Sequence, residues 1–210
     1  MKKSVKLAFS VAILISLTNS LQAFEPKKPT CLAPAKPGGG FGLTCKIAAN
    51  SFAATHLLNK PMIVNFMPGG VGAVAYNHVI GQKPNDGDVI VAFSSGSALN
   101  IAQGKFGKYN ENAVRWLDGK FKELPTAKEQ GYDVVWSTWR GYYMGPKVSD
   151  TQYDFWVEKF KKLSQTDEFK KERDLRGLQP FTMVGSEFDH FVKSEVAKFK
   201  SMAREAGLVK

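Results

Sequence analysis

The stretch Met62-Ile-Val-Asn-Phe66-Met-Pro68-Gly69-Gly70-Val71-Gly72 decides how the rest of the chain is read. Met62 to Phe66 is a short, mostly apolar run of strand length, and Pro68 to Gly72 is a glycine-rich turn. Val71, Val74, Ala75, Val79 and Ile80 then recur at helical spacing up to Gly81. The same order stands upstream. Thr30 to Ala33 reads as a strand and Pro37-Gly38-Gly39-Gly40-Phe41-Gly42 as a turn. A helix from Leu43 to Leu58 follows, with Leu43, Ile47, Ala48, Ala54 and Leu58 on its apolar face. Downstream, Asn85-Asp86-Gly87 turns the chain into Val89 to Phe93, which is apolar throughout, as a strand covered on both faces should be. Ser94-Ser95-Gly96-Ser97 closes that strand with a polar turn. The order of strand, turn and helix predicts an α/β domain with parallel strands.

Beyond Arg115-Trp116-Leu117 the pattern changes. Pro125 to Gly131 predicts a short helix, with Thr126 and Glu129 placed as a capping box. Val134 to Trp136 and Tyr142 to Met144 are short strand candidates. Ser149 and Gln152 fit a capping box ahead of Tyr153, Trp156, Val157 and Phe160. Asp167 to Leu175 reads as a shorter helix stopped by Gly177. Ser186 starts the last helix, with Phe188, Phe191, Val192, Val196, Phe199 and Ala203 on one face.

The first 23 residues read as an export signal to be removed near Ala23. Lys2, Lys3 and Lys6 precede an apolar run from Leu7 to Leu17, and Leu21-Gln22-Ala23 suits a signal-peptidase site. The run is too short to span a bilayer. The expected product, residues 24–210, lies in a periplasm and is not membrane-spanning. The formal charge of +10 falls to +7 without the three leading lysines. That balance attracts anions or acidic surfaces without choosing among them. Cys31 and Cys45 are the only cysteines. An even pair in an oxidising compartment is expected to bond, with two separate buried thiols as the alternative.

In an open parallel sheet, ligands bind outside the carboxyl ends of the strands. The three turns should gather there. Glycines let backbone N–H groups approach an anion, two of the turns lead into helix N-termini, and Ser94, Ser95 and Ser97 add hydroxyls. The expected site is an anion cradle built largely from backbone, suited to carboxylates, with phosphates also chemically compatible.

Competing chemistries find little support. Leu43 stands where a third glycine of G-x-G-x-x-G would be, and neither Gly-rich turn carries Gly-Lys-Ser/Thr. No G-x-S-x-G elbow or H-E-x-x-H occurs, and His56, His78 and His190 are scattered, so neither an enzyme, a cofactor nor a metal is expected. Nothing in the sequence brings Ser97 and His78 together as nucleophile and base. Trp116, Trp136, Trp139 and Trp156 with Arg115 and Arg140 could suggest nucleic acid, but their apolar settings read better as core, and no nucleic-acid partner is expected.

Five segments carry a resemblance. They are Cys31 to Phe41 with Leu43-Thr-Cys-Lys46, Asn65 to Asn77, Ala92 to Asn100, Leu124 to Asp133, and Arg140 to Lys147. Taken in order they resemble the substrate-binding receptors of tripartite tricarboxylate transporters, the Bug or TctC-type solute-binding proteins. The resemblance implies a type II-like periplasmic binding fold of two lobes. It further implies a small carboxylate trapped between the lobes, and membrane subunits of a transporter as partners. Residues implied to contact the ligand, mainly through main chain and water, are Pro37, Gly38, Gly39, Gly40 and Phe41, then Pro68 and Gly69, then Ser94, Ser95 and Ser97.

Two departures follow. Gly42 stands where the family usually has Asp, so a looser first loop is expected. The chain also passes from Arg115-Trp116-Leu117 almost directly to Gly119-Lys-Phe-Lys-Glu-Leu-Pro125, where the family inserts roughly a hundred residues, a domain's worth. The expectation is a single first lobe over 24–210: residues 24–117, a junction at 118–124, and residues 125–210. Loss of the opposing wall should weaken binding. An inert remnant, or a protein that only docks on the transporter, is the alternative.

Overall fold

The computed structural model describes residues 24–123 and 138–209. The export signal, the Pro125–Gly131 helix with its Thr126/Glu129 box, and the Val134–Trp136 strand lie outside the described residues. The chain runs β1 (Thr30–Ala33), α1 (Gly40–Thr55), β2 (Ile63–Phe66), a 3-10 turn (Gly70–Gly72), α2 (Ala73–Gln82), β3 (Val89–Ser94) and α3 (Ser95–Ala102). It continues through β4 (Arg115–Glu123), β5 (Thr138–Met144), α4 (Asp150–Gln165), α5 (Asp167–Asp174), β6 (Gln179–Val184) and α6 (Ser186–Glu205).

The six strands form one sheet in the order β2-β1-β3-β5-β4-β6. β1 pairs in parallel with both β2 and β3, as the strand–turn–helix pattern requires. β5 is antiparallel to β3, β4 to β5, and β6 to β4. β4 therefore points the same way as β1 to β3. The parallel reading holds for the first half, and the second half is an antiparallel addition.

Side chains alternate across this sheet and divide the core in two. Cys31 and Ala33 of β1, Ile90 and Ala92 of β3, and Tyr142 and Met144 of β5 face α1 and α4, where they meet Ile47, Phe52, Trp156 and Phe160. Leu32, Val91, Phe93, Trp139 and Tyr143 face the other way, toward Tyr76, Ala98, Phe188 and Val192 of α2, α3 and α6. Trp116, Trp139 and Trp156 are all essentially buried, which removes them as stacking platforms for bases. Trp156 Nε1 donates to the Gly87 carbonyl at 2.8 Å, tying α4 to the turn before β3.

Cys31 and Cys45 are bonded, with their Cα atoms 5.6 Å apart. The bridge fastens α1 to β1 just behind the first glycine-rich turn. The residues expected as a junction are drawn into β4 as far as Glu123. The strand accommodates them with register shifts between Trp116 and Asp118 and between Gly119 and Phe121.

Candidate functional site

The carboxyl ends of β1, β2 and β3 lie side by side, and each hands the chain to a helix. α1 starts at Gly40 behind an N-cap Gly39, α2 at Ala73 behind Gly72, and α3 at Ser95 behind Ser94. None of the three has a side chain bonded to its first N–H groups, and none has an acid in its first turn. The first turns of helices hold unsatisfied donors and the positive end of the dipole. The 3-10 turn already takes up the first N–H groups of α2, Ala73 donating to the Gly70 carbonyl and Val74 to the Gly69 carbonyl at 3.4 Å, so the rim is made by the starts of α1 and α3, with Arg140 beside the first.

The turns are tied to one another. Met67 N–H donates to the Ala33 carbonyl at 2.9 Å, joining the second turn to the first. Ser97 Oγ donates to the Val71 carbonyl at 2.7 Å, joining the third to the second. A Cβ on Gly72 would stand 3.2 Å from Ser97 Oγ and 3.8 Å from Pro34 Cβ, so the backbone passes close to both neighbours. Val71 itself has φ 52° and ψ 39°, in the left-handed region that a β-branched residue avoids. Its carbonyl is held there by Ser97. Such strain concentrates where surrounding structure dictates the backbone.

The sequence-predicted residues divide accordingly. Pro37, Gly38 and Pro68 are exposed, and Gly39, Gly40 and Gly69 are half-buried, so their main chain can meet a ligand. Phe41 is buried in the α1 face of the core and offers only its backbone. Ser94, Ser95 and Ser97 are 5%, 1% and 1% exposed, so they sit beneath the rim. The Ser97 hydroxyl is engaged with Val71. The Ser95 hydroxyl has no partner among the described residues. Tyr142 OH donates to the Thr44 carbonyl at 2.8 Å, fixing the first turns of α1 on β5. Burial holds that phenol well above its ordinary pKa, Asp118 adds to the rise and Arg140 opposes it.

Sequence reasoning passed over Arg140 as a site residue. Strand register places it opposite Ser94. Its guanidinium lies against Gly40, where a Cβ would be 2.6 Å from Nη2. Only the β3–β5 pairing reveals this, since no spacing of residues along the chain links positions 40 and 140. Gly42 also reads differently in three dimensions. A Cβ there would stand 2.9 Å from the Phe66 ring, so an aromatic fills the space beside the missing side chain and the loop is not left slack.

A groove of about 450 Å³ lies elsewhere, along β2 and under α2, lined by residues such as Lys28, Asn65, Met67 and His78. Three of its charged groups are already engaged. Lys83 pairs with Asp86 at 2.8 Å, and Asp88 accepts the N–H groups of Lys27 and Lys28 at 3.0 and 2.8 Å. The turns therefore remain the candidate site. Among the described residues no group of three His, Cys, Asp or Glu side chains could hold a metal, and no helix is long and apolar enough to cross a membrane.

A sheet of this order, with three turns at the ends of its parallel strands, is the fold found in periplasmic solute-binding proteins of known structure. Solved structures agree. A TctC solute-binding protein from Polaromonas, without ligand, superposes with a TM-score of 0.67 at 12% identity, covering 86% of this chain and 99% of that one. The periplasmic binding protein BugD gives 0.65 at 12% identity, with 88% and 99% covered. MatC from Rhodopseudomonas palustris, with bound malate, gives 0.64 at 10% identity, with 83% and 98% covered. No family model and no curated protein matches the chain by sequence. The chain has the fold of the TctC and Bug solute-binding proteins.

Proposed function

We propose that this chain is an exported solute-binding protein of the tripartite tricarboxylate type. It takes a small carboxylate, without covalent chemistry, at the rim formed by Pro37 to Phe41, Pro68, Gly69 and the start of α3. The observation that carries this reading is the pair of helix starts, of α1 and α3, that among the described residues no N-cap side chain covers and no acid in the first turn neutralises. A carboxylate is the natural counterpart of such a rim. Neighbours of the same fold are described with malate and with adipate, which favours the same ligand class here. Delivery to the membrane subunits of a transporter completes the role.

The rim works as one wall of a site. Without a second lobe, a ligand keeps one side in water and binds more weakly than in a closed cleft. The register shifts at 116–121 in β4 lie where the family's second lobe would be inserted, and they favour that account of the short junction. The test is the thermal melt of the purified protein with and without excess citrate, malate or adipate. A ligand at a hundred times its dissociation constant stabilises by about 2.7 kcal/mol, an upward shift of several degrees. A cooperative melt that none of the three moves would sink the reading.

A further inference from the structure

We propose that Arg140 sets the charge preference of this rim, selecting ligands with two carboxylates over those with one. The inference rests on the carboxylate reading above and deepens it. The two helix starts offer partial charges of roughly +0.5 each, spread over N–H groups, whereas a guanidinium adds a full, localised charge with a planar fork of donors.

Arg140 is placed by the fold at that rim. It stands opposite Ser94, the N-cap of α3, across the β3–β5 pairing. Its guanidinium lies on the first residue of α1, where a Cβ on Gly40 would meet Nη2 at 2.6 Å and Nη1 at 2.7 Å. Glycine at position 40 is therefore what allows the approach. Two residues further along β5, Tyr142 OH donates to the Thr44 carbonyl at 2.8 Å, so the separation of β5 from α1 is fixed by the backbone. The guanidinium thus lies at the start of α1, on a strand position that pairs with the N-cap of α3. The Ser95 hydroxyl, 1% exposed and without a partner among the described residues, opens α3 one residue after the position paired with Arg140.

The competing role is structural. Asp118 is fully buried on β4 opposite Tyr142, on the same face of the sheet as Arg140. An arginine that served only that carboxylate would matter for folding and not for ligand choice.

The experiment compares malate and lactate, a dianion and a monoanion of similar size, by calorimetric titration of the wild type, Arg140→Gln, Arg140→Lys and Gly40→Ala, with a melt of each. Arg140→Gln is expected to lower the malate-to-lactate affinity ratio about tenfold and to flatten the salt dependence of malate binding. Arg140→Lys should recover part of the ratio. Gly40→Ala keeps the charge but displaces the guanidinium, so it should lower the ratio alone and add little on top of Arg140→Gln. Variants that melt lower yet keep the wild-type ratio overturn the inference and leave the carboxylate reading standing. A wild type that binds neither malate, citrate nor adipate overturns that reading and this inference with it.

Discussion

The helices of the first half and those of the second half begin in opposite ways. α4 opens with a complete capping box, in which Ser149 Oγ accepts from Gln152 N–H at 3.3 Å and Ser149 N–H donates to Gln152 Oε1 at 2.9 Å. α5 is capped by Thr166, and the first turns of α4, α5 and α6 all carry acids. α1, α2 and α3 have neither device. α6 has no side-chain cap and relies on the acids of its first turn, Glu187 and Asp189. The helices of the first half lack both devices and are held by other means. Here those means are the Cys31–Cys45 bridge, the Ser97–Val71 bond and the Tyr142–Thr44 bond.

Several changes would break or sharpen that contrast, and the largest effect comes from alkali, which acts on both halves together. Burial raises the phenol of Tyr153 to about 12, and it holds Tyr76, Tyr142 and Tyr143 above the ordinary 10.0 as well. A group whose folded pKa is raised gives stability that is complete below the unfolded value and lost as pH climbs toward the folded one. Melts followed upward from pH 10.0 should fall steadily, with tyrosinate absorbance appearing only as the fold is lost. Early tyrosinate in a protein that stays folded would contradict the packing described.

Removing the bridge by Cys31→Ala with Cys45→Ala should cost about 3 kcal/mol, the value for a closed loop of this length. The same change should loosen the first turn and weaken carboxylate binding, whereas a cap elsewhere should not. Gly39→Asp then separates stability from function. Gly39 is already extended at φ −78° and ψ 166°, so an acid can cap α1 there with a change of only about 0.5 kcal/mol. Carboxylate binding should nonetheless drop about tenfold or more, because the open end is closed by a competing anion. Unchanged binding in titration would remove α1 from the site. The mirror experiment is Ser149→Ala, which should cost about 1 kcal/mol in the melt and leave carboxylate affinity untouched.

The first half of the fold was legible because buried parallel strands advertise themselves. Val89 to Ser94 is buried at every position, and its sequence is apolar up to the closing serine. The glycines of the first two turns marked where the chain reverses. β6 was missed for a physical reason. Gln179-Pro-Phe-Thr-Met-Val184 lies at a sheet edge, where half-exposed positions erase the apolar run and a proline is tolerated. β4 was masked by Asp118 and Gly119 in its middle, residues that argue against a strand until the pairing with β5 is seen. The site was legible as a set of turns, and its backbone character was too. The roles of the serines were not, since the partner of Ser97 is a carbonyl 26 residues away. Arg140 was likewise hidden, because its neighbour Gly40 lies a hundred positions earlier and only tertiary structure joins them.

The contact between Gly42 and Phe66 has an evolutionary consequence. With the ring 2.9 Å from where a Cβ would stand, any side chain at position 42 must first displace it. An aspartate restored there alone enters an occupied site and is expected to be harmful, while the same aspartate after a smaller residue at position 66 is not. The two positions are therefore epistatic, and the order of substitutions decides which path is open.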